Sequence, residues 1–188
     1  GKRMQRDLVL RASDGDHEAF AELVTAIHDR LHRTARLILR SDEHAADVVQ
    51  ESLTAAWVHI RAVRDPDRFE AWLYRLLVHA CYRESRRVRQ RNVVELRLDR
   101  PNAVAGGDAQ VLTAVRDQLE RGFRHLTPEH RAALVVHHYL GLPDAEAAAT
   151  LGIAIGTFKS RLHRASAALR AALEADERPA AIAREFFA

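Results

Sequence analysis

Leu151-Gly152-Ile153-Ala154-Ile155-Gly156-Thr157-Phe158-Lys159-Ser160-Arg161-Leu162-His163-Arg164-Ala165 is the stretch whose reading decides the fold. A helical pattern from Asp144 to Leu151 leads into it. Gly152 then supplies a residue able to take positive φ, as a tight helix-to-helix turn requires. Beyond the turn, Phe158, Leu162, Ala165 and Leu169 recur at spacings of four, three and four, which is one apolar stripe of an α-helix. At about 100° per residue, Gly156, Ser160, His163 and Arg164 fall on the opposite side, with Lys159 at its margin. Small, polar and cationic groups near a helix N-terminus, opposite an apolar stripe, are the layout of a helix-turn-helix whose second helix enters the DNA major groove. Cations bind phosphate, serine bonds to base or backbone, and arginine makes a bidentate contact to guanine. An ordinary helical hairpin with a solvated charged face has the same spacing, and periodicity alone does not separate the two.

Composition narrows the rest. The chain has 188 residues, room for one medium domain or two small ones, and 47% of them are hydrophobic, enough for a core. Gly (8) and Pro (5) are scarce while Ala, Leu and Arg are plentiful, which favours an all-α protein. The formal net charge is only +3 although the pI is about 9.5, so a case for nucleic acid rests on local clustering. A single cysteine, Cys81, rules out an internal disulfide and a multi-cysteine zinc site. Its helical, apolar surroundings suit a buried small residue better than a redox switch. The 11 histidines, His137-His138 included, lack metal-ligand companions at useful spacing, which argues against zinc. No nucleophile-base pairing, phosphate loop or carboxylate constellation stands out, so neither enzyme nor cofactor is expected. No long uncharged apolar run is present, so neither a membrane span nor a signal peptide is expected, and the cytoplasm is the expected compartment.

Upstream, residues from Asp16 to Leu39 place Phe20, Leu23, Val24, Ile27, Leu31 and Ile38 on one helical face. Ser41-Asp42 suits a cap for the next helix, predicted over Glu43 to Arg61. Its apolar side is expected to be Ala46, Val49, Leu53, Trp57 and Ile60; its other side carries Asp47, Gln50, Glu51 and Thr54, which read equally well as a solvated face. Asp65-Pro66 in the loop Arg61–Arg68 suits a helix start. The third helix is predicted over Arg68 to Arg91, with Phe69, Trp72, Leu73, Leu76 and Ala80 as core and Arg75, His79, Tyr82, Arg83 and Arg86 on other faces. From Arg83 to Arg100 there are seven arginines against Glu84, Glu95 and Asp99. Such a run is usually a solvated helix end. Joined to Trp72-Leu73-Tyr74-Arg75, it is also the mixture used on single-stranded nucleic acid, through stacking and phosphate contacts.

Periodicity lapses from Asn92 to Asp108, where Pro101, Asn102, Gly106 and Gly107 make a flexible connector. Fully extended it would span at most ~55–60 Å, against ~34–36 Å for one DNA turn. Ala109 to Phe123 is predicted helical, with Leu112, Val115, Leu119 and Phe123 in phase. Thr127-Pro128-Glu129 restarts a helix ending near Gly141. Arg131 is placed to reach a phosphate or to pair with an acid. Arg161 projects sideways, toward DNA or toward an intradomain partner such as Glu146. Pro143 and Ala154 stand where capping residues would serve better, and each lost cap costs roughly 0.5–2 kcal/mol unless Asp144 or Thr157 substitutes. A somewhat loose hairpin, ordered by partners, is the expectation. In the tail, Ile182, Phe186 and Phe187 could pack on a domain, bind a partner or stay mobile.

The string Gly156-Thr157-x-Lys159-Ser160-Arg161-Leu162-x-Arg164-Ala165 resembles the promoter-reading C-terminal region of bacterial RNA polymerase sigma factors of the sigma-70 family, in particular its small extracytoplasmic-function (ECF) group. Gly15-Asp16-x-x-Ala19-Phe20, Ala46-Asp47-Val48-Val49-Gln50-Glu51, Phe69-x-Ala71-Trp72-Leu73-Tyr74-Arg75 and Leu126-Thr127-Pro128-Glu129-x-Arg131 resemble other parts of the same family, in the family's order. The resemblance implies two small helical domains, a region 2-like bundle over 1–91 and a region 4-like helix-turn-helix over 109–176, joined by a linker over 92–108 and followed by a tail over 177–188.

The resemblance also implies a division of labour. Asp47, Gln50, Glu51 and Thr54 would dock on the clamp helices of the largest subunit of core RNA polymerase, whose flap would hold the second domain. The loop Val63, Arg64, Asp65, Pro66 and Asp67 would hold an unpaired base of the downstream (−10) promoter element. Trp72, Arg75, His79, Arg83 and Arg86 of the following helix would support the opened strand. Thr157, Lys159, Ser160, His163, Arg164 and Arg131 would contact the upstream (−35) element. An anti-sigma protein that masks these surfaces is a further implied partner. The family often has Asn where His79 stands and Asp where Arg83 stands, so its base preference does not carry over. Two rivals are a stand-alone DNA-binding regulator, which leaves the Asp47-Gln50-Glu51 face unexplained, and a protein-binding adaptor, for which binding would be insensitive to salt.

Overall fold

The computed structural model describes residues 2–95 and 112–186. They form eight α-helices and no strand among the described residues. Helix α1 spans Lys2–Ser13 and turns at Gly15 (φ 101°) into α2, His17–Leu39. Asp16 caps α2 by accepting from the Glu18 and Ala19 amides, both at 3.0 Å. This uses two of the donors that every helix start leaves unpaired. Arg40 closes α2 in the left-handed conformation at φ 61°. Ser41 then caps α3, Asp42–His59, through the His44 amide. A 3₁₀ turn at Ile60–Ala62 and a second at Pro66–Arg68, capped by Asp65, lead into α4, Phe69–Glu95. Helix α1 was not predicted from the sequence.

The core of this half is built from Leu23, Leu31, Ala35 and Ile38 of α2, Ala45, Val48, Val49 and Ala56 of α3, and Phe69, Leu73, Leu77, Val78 and Cys81 of α4. The expected inner side of α3 needs correction. Ala46 is exposed and Leu53 and Trp57 are only half-buried, whereas Ala45, Val48, Ser52 and Ala56 face inward. The small residues let α3 approach α2 and α4 closely, and the larger ones line a surface groove. On α4, Trp72 and Leu76 are likewise half-buried, while Leu77, Val78 and Cys81 take the deep positions. The predicted linker begins later than expected, because α4 continues to Glu95; the rest of that segment lies outside the described residues.

The second half comprises α5 (Leu112–Arg124), α6 (Pro128–Leu134) running into a π-helical turn at Val135–Tyr139, α7 (Asp144–Leu151) and α8 (Ile155–Phe186). Thr127 caps α6 by accepting from the His130 amide at 3.2 Å. Gly152 ends α7 at φ 70°, donating its amide to Ala148 and Ala149 carbonyls. Phe158 and Ala165 of α8 are fully buried, so the stripe read from the sequence is the packing stripe. Gly122 lets α5 meet α8: a Cβ there would lie 2.8 Å from Leu169 Cδ1. No side-chain cap forms at Pro143. The α7 hairpin is held instead by Ala147, Ala148 and Leu151, all buried, and α7 lies against α4 of the first half. Phe187 and the side chains of Ile182 and Phe186 lie outside the described residues.

Burial pushes the Cys81 thiol up to about 12. Its thiolate is therefore scarce at neutral pH, and its sulfur has no access to solvent. Alkylation of the native chain by iodoacetamide should be more than about a hundred-fold slower than that of the unfolded chain, whose thiol returns to an ordinary pKa of about 8.5. Time-resolved mass spectrometry with and without denaturant measures the ratio.

Candidate nucleic-acid and polymerase interfaces

The start of α8 presents Thr157, Lys159, Ser160, His163 and Arg164 to solvent, all on the side away from Phe158 and Ala165. Local hydrogen bonds organise this face. Ser160 Oγ donates to Thr157 O at 3.0 Å, and Arg164 donates from Nε to Ser160 O at 3.2 Å and from Nη2 to Ser160 Oγ at 3.4 Å. The guanidinium is thus laid along the helix, with its remaining donors free to meet a base edge or a phosphate. Lys159 Nζ lies 3.9 Å from Asp144 of α7, which also stands 3.5 Å from His137 Nδ1. Positive groups at a helix N-terminus add to the dipole's attraction for phosphate.

Arg131, grouped with these residues by the sequence reading, lies elsewhere. It is buried and donates from Nε to Ile38 O and from Nη1 to Leu126 O at 2.7 Å and Phe123 O at 3.4 Å. Burial, reinforced by nearby Arg40 and opposed by Glu129, brings its pKa down to about 10, so it remains charged at neutral pH. Its protein partners are three backbone carbonyls. Arg161 likewise meets a group no spacing rule would supply. Its guanidinium lies beside the Tyr82 hydroxyl of α4, which is buried without a well-formed hydrogen bond. Burial raises the Tyr82 phenol to about 12, and Arg161 opposes the rise.

On α3, Asp47, Gln50, Glu51 and Thr54 are all exposed and line one shallow surface with Ala55, Val58 and His59. Val58 is 65% exposed, a large apolar side chain at the C-terminal end of this face. Beside it runs the groove between α2 and α3, walled by Phe20, Val24, Leu53 and Trp57 and rimmed by His28 and His32. Trp57 is fixed there by the His17 ring at 4.3 Å and the Phe20 ring at 5.0 Å. Glu51 is paired with Arg83 of α4 at 2.7 Å. The α3 face and the α4 face thus share a charge pair, although the sequence reading kept them separate.

The loop from Val63 to Asp67 is exposed at Arg64, Asp65 and Asp67 and half-buried at Val63 and Pro66. The unpredicted helix α1 braces it from behind. Arg6 pairs with Asp67 at 2.8 Å, Gln5 Nε2 donates to Glu70 Oε1 at 2.8 Å, and Arg61 Nε donates to Ser13 O at 3.1 Å. Trp72 is half-buried near Phe69, with ring centres 6.0 Å apart. Arg75, Arg83 and Arg86 are exposed along α4. His79 is half-buried, and its Nε2 is enclosed without a hydrogen-bond partner. Burial first, then the charges of Arg75 and Arg83, hold its pKa below the ordinary value. What encloses it is the turn after α7: a Cβ on Gly152 would lie 3.1 Å from His79 Nε2.

Among the described residues no group of His, Cys, Asp and Glu side chains is arranged to hold a metal, and no helix is long and apolar enough to cross a membrane.

Comparison with known proteins places this geometry. A family model described as Sigma-70 region 2 matches residues 23–91, and one described as Sigma-70, region 4 matches residues 116–169. The chain is 36% identical over 168 residues to the ECF RNA polymerase sigma factor SigM of Mycobacterium tuberculosis, covering 89% of this chain and 84% of that protein. It is 35% identical over 185 residues to the RNA polymerase sigma factor CnrH of Cupriavidus metallidurans, covering 91% and 95%. Among solved structures, CnrH in complex with the cytosolic domain of CnrY matches at TM-score 0.66 and 30% identity, over 92% of this chain and 99% of that one. The sigma factor RpoE in complex with the anti-sigma factor NepR, from Bartonella quintana, matches at 0.70 and 27%, over 84% and 98%.

Gly152 carries both the left-handed turn and the close approach to His79. Gly152→Ala should destabilise the chain by roughly 1–2 kcal/mol through the backbone alone, and by more once the methyl group displaces the imidazole. Adding His79→Ala should recover the second part and leave the first. Urea unfolding of the two variants separates them.

Proposed function

Since the chain belongs to the sigma-70 family of RNA polymerase sigma factors, in its extracytoplasmic-function group, we propose how its surfaces divide the work of starting transcription. The chain is a specificity subunit: it binds core RNA polymerase, directs it to particular promoters and promotes melting of the DNA. The exposed Asp47, Gln50, Glu51 and Thr54 dock on the clamp helices of the largest subunit, with Val58 adding an apolar contact at the end of the face. The loop Val63 to Asp67 takes up an unpaired base of the downstream element. Trp72, Arg75, His79, Arg83 and Arg86 support the strand from which it came. Unstacking costs a few kcal/mol per step, and ring packing on Trp72 with phosphate contacts from the arginines offsets it. Thr157, Lys159, Ser160, His163 and Arg164 enter the upstream element as intact duplex, where one good bidentate contact discriminates by ~1–3 kcal/mol.

The observation that carries this reading is the first turns of α8. Five polar or cationic side chains are exposed on one side of a helix whose other side is buried through Phe158 and Ala165. A solvated hairpin has no need of that concentration, and an adaptor would not carry it together with the polar face of α3. The chain itself performs no catalysis in this reading; chemistry belongs to the polymerase. It works in the cytoplasm and is masked at rest by an anti-sigma protein, as the relation to RpoE in complex with NepR supports.

Run-off transcription with core polymerase on a promoter library tests the reading directly. The wild-type chain should select a consistent set of start sites. Asp47→Lys with Gln50→Ala should abolish both polymerase capture and transcripts, while binding of an upstream-element duplex survives; no start-site selection by the wild-type chain would overturn the proposal. Arg164→Ala should lower affinity for the upstream element by about ten-fold, within the ~1–3 kcal/mol of a specific contact, and leave random duplex nearly unaffected. Gel-shift titration on both DNAs at one salt concentration shows which holds.

A further inference from the structure

Helix α1 ties down both ends of the loop that precedes α4. Leu8, Val9 and Ala12 are buried and seat α1 in the core of the first half. At the loop's entry, Arg61 Nε donates to Ser13 O, the last residue of α1, at 3.1 Å. At its exit, Arg6 Nη1 donates to Asp67 Oδ2 at 2.8 Å. Just beyond, Gln5 Nε2 donates to Glu70 Oε1 in the first turn of α4, also at 2.8 Å. Helix α1 also packs against both flanking 3₁₀ turns, Ile60–Ala62 and Pro66–Arg68. The loop's own backbone hydrogen bonds are local. Val63 N donates to Ile60 O and Arg68 N to Asp65 O, each at 3.0 Å, and Asp67 N donates to Asp65 Oδ1 at 3.1 Å. Bonds of that reach close a turn, but they do not fix its direction relative to the helices around it. The fixing comes from Arg6 and Gln5, whose partners lie 61 and 65 residues along the chain.

We infer that α1 belongs to the strand-opening machinery: Gln5 and Arg6 are positioning residues that hold the loop Val63 to Asp67 in the shape that receives an unpaired base. The inference rests on the reading of that loop given under Proposed function. A loop free to move has to be ordered when a base enters, and the entropy lost weakens capture. Where the receptive shape is only a fraction of the population, apparent affinity falls by that fraction. Tethers at both ends shift the ordering into folding, where the buried side of α1 offsets it. Neither Gln5 nor Arg6 has to touch DNA for this. Each acts through a carboxylate on the loop or at the start of the reading helix. A helix that served stability alone would leave capture of the base unchanged in the folded chain, and the two roles separate by experiment.

The test uses the full chain bound to core polymerase. Its ligand is a single-stranded oligonucleotide carrying the downstream element of a promoter that the wild-type chain selects. Affinity is read by fluorescence anisotropy at ~0.15 M salt, where exposed charges are largely screened. Bases of the element are removed one at a time with the backbone left intact. The wild-type chain should show one position where loss of the base weakens binding about five-fold or more, as loss of a stacked base does. Arg6→Met should bind the intact strand about five-fold more weakly, the upper end for an exposed ion pair. Arg6→Lys keeps the charge and should stay within about two-fold of wild type. Gln5→Ala changes no charge and should weaken binding about two- to five-fold, as loss of one hydrogen bond does. On the strand lacking the captured base all four chains should bind alike, and polymerase capture should be the same for all. Full affinity of Arg6→Met and Gln5→Ala for the intact strand would overturn the positioning role. So would a deficit that persists without the base, since that marks a phosphate contact or a damaged fold. A wild-type chain indifferent to base loss at every position would overturn the pocket reading itself, and the inference with it.

Discussion

A guanidinium taken out of water without a carboxylate beside it must find carbonyl groups, and Arg131 finds them where helices end. The last carbonyls of a helix have no partner within it and carry the negative end of its dipole. Ile38 O belongs to the last turn of α2; Phe123 O and Leu126 O belong to the corner between α5 and α6. One side chain therefore bonds helix ends from both halves of the molecule. Removing it would strand three buried acceptors, and burying it unpaired would cost more still. The placement of α5, α6 and α7 against α2 and α4 follows from this corner being fixed. The left-handed residue at Arg40 closes α2 locally, its amide returning to the Arg36 carbonyl at 2.7 Å, and leads the chain into the Ser41 cap of α3.

Local rules were legible where one side of an element meets a core and the other meets water. The Phe158, Leu162, Ala165 and Leu169 stripe, the caps at Ser41 and Thr127, and the Gly152 turn all obey that condition, and each was read from residue type and spacing. Helix α3 does not obey it. It packs on two neighbours through small residues and keeps a second, bulkier apolar stripe for a groove, so a single-stripe reading chose the conspicuous Leu53 and Trp57 over the buried Ala45 and Ala56. Helix α1 went unread because its meaning lies in partners far along the chain, at Asp67 and Glu70. The particular neighbours of Arg131, Arg161 and His79 went unread for the same reason: Ile38, Tyr82 and Gly152 each lie in the other half, and no short-range pattern encodes them.

The helix-turn-helix shows how tertiary contact substitutes for a missing local signal. Pro143 offers no side-chain acceptor, and a hairpin resting on local interactions alone would be weak. Ala147, Ala148 and Leu151 are instead buried, and the small residues allow α7 to approach α4 closely. The π-helical turn at Val135–Tyr139 belongs to the same region. It lets Leu140 donate to the Val135 carbonyl and brings the chain to Gly141, where a positive φ sends it into α7.

The outward face of α3 and the inward face of α4 are treated unequally by this arrangement. Asp47, Gln50, Glu51 and Thr54 stand open, while His79 and Tyr82 are covered. A chromosome presents roughly 10⁶–10⁹ incidental sites to any protein with a basic helix, and the open face of α8, with the exposed Arg75, Arg83 and Arg86 of α4, will meet them. The carboxylates and amide of α3 have no such attraction for phosphate, so that face stays vacant for a protein partner even while the basic helices rest on bystander DNA.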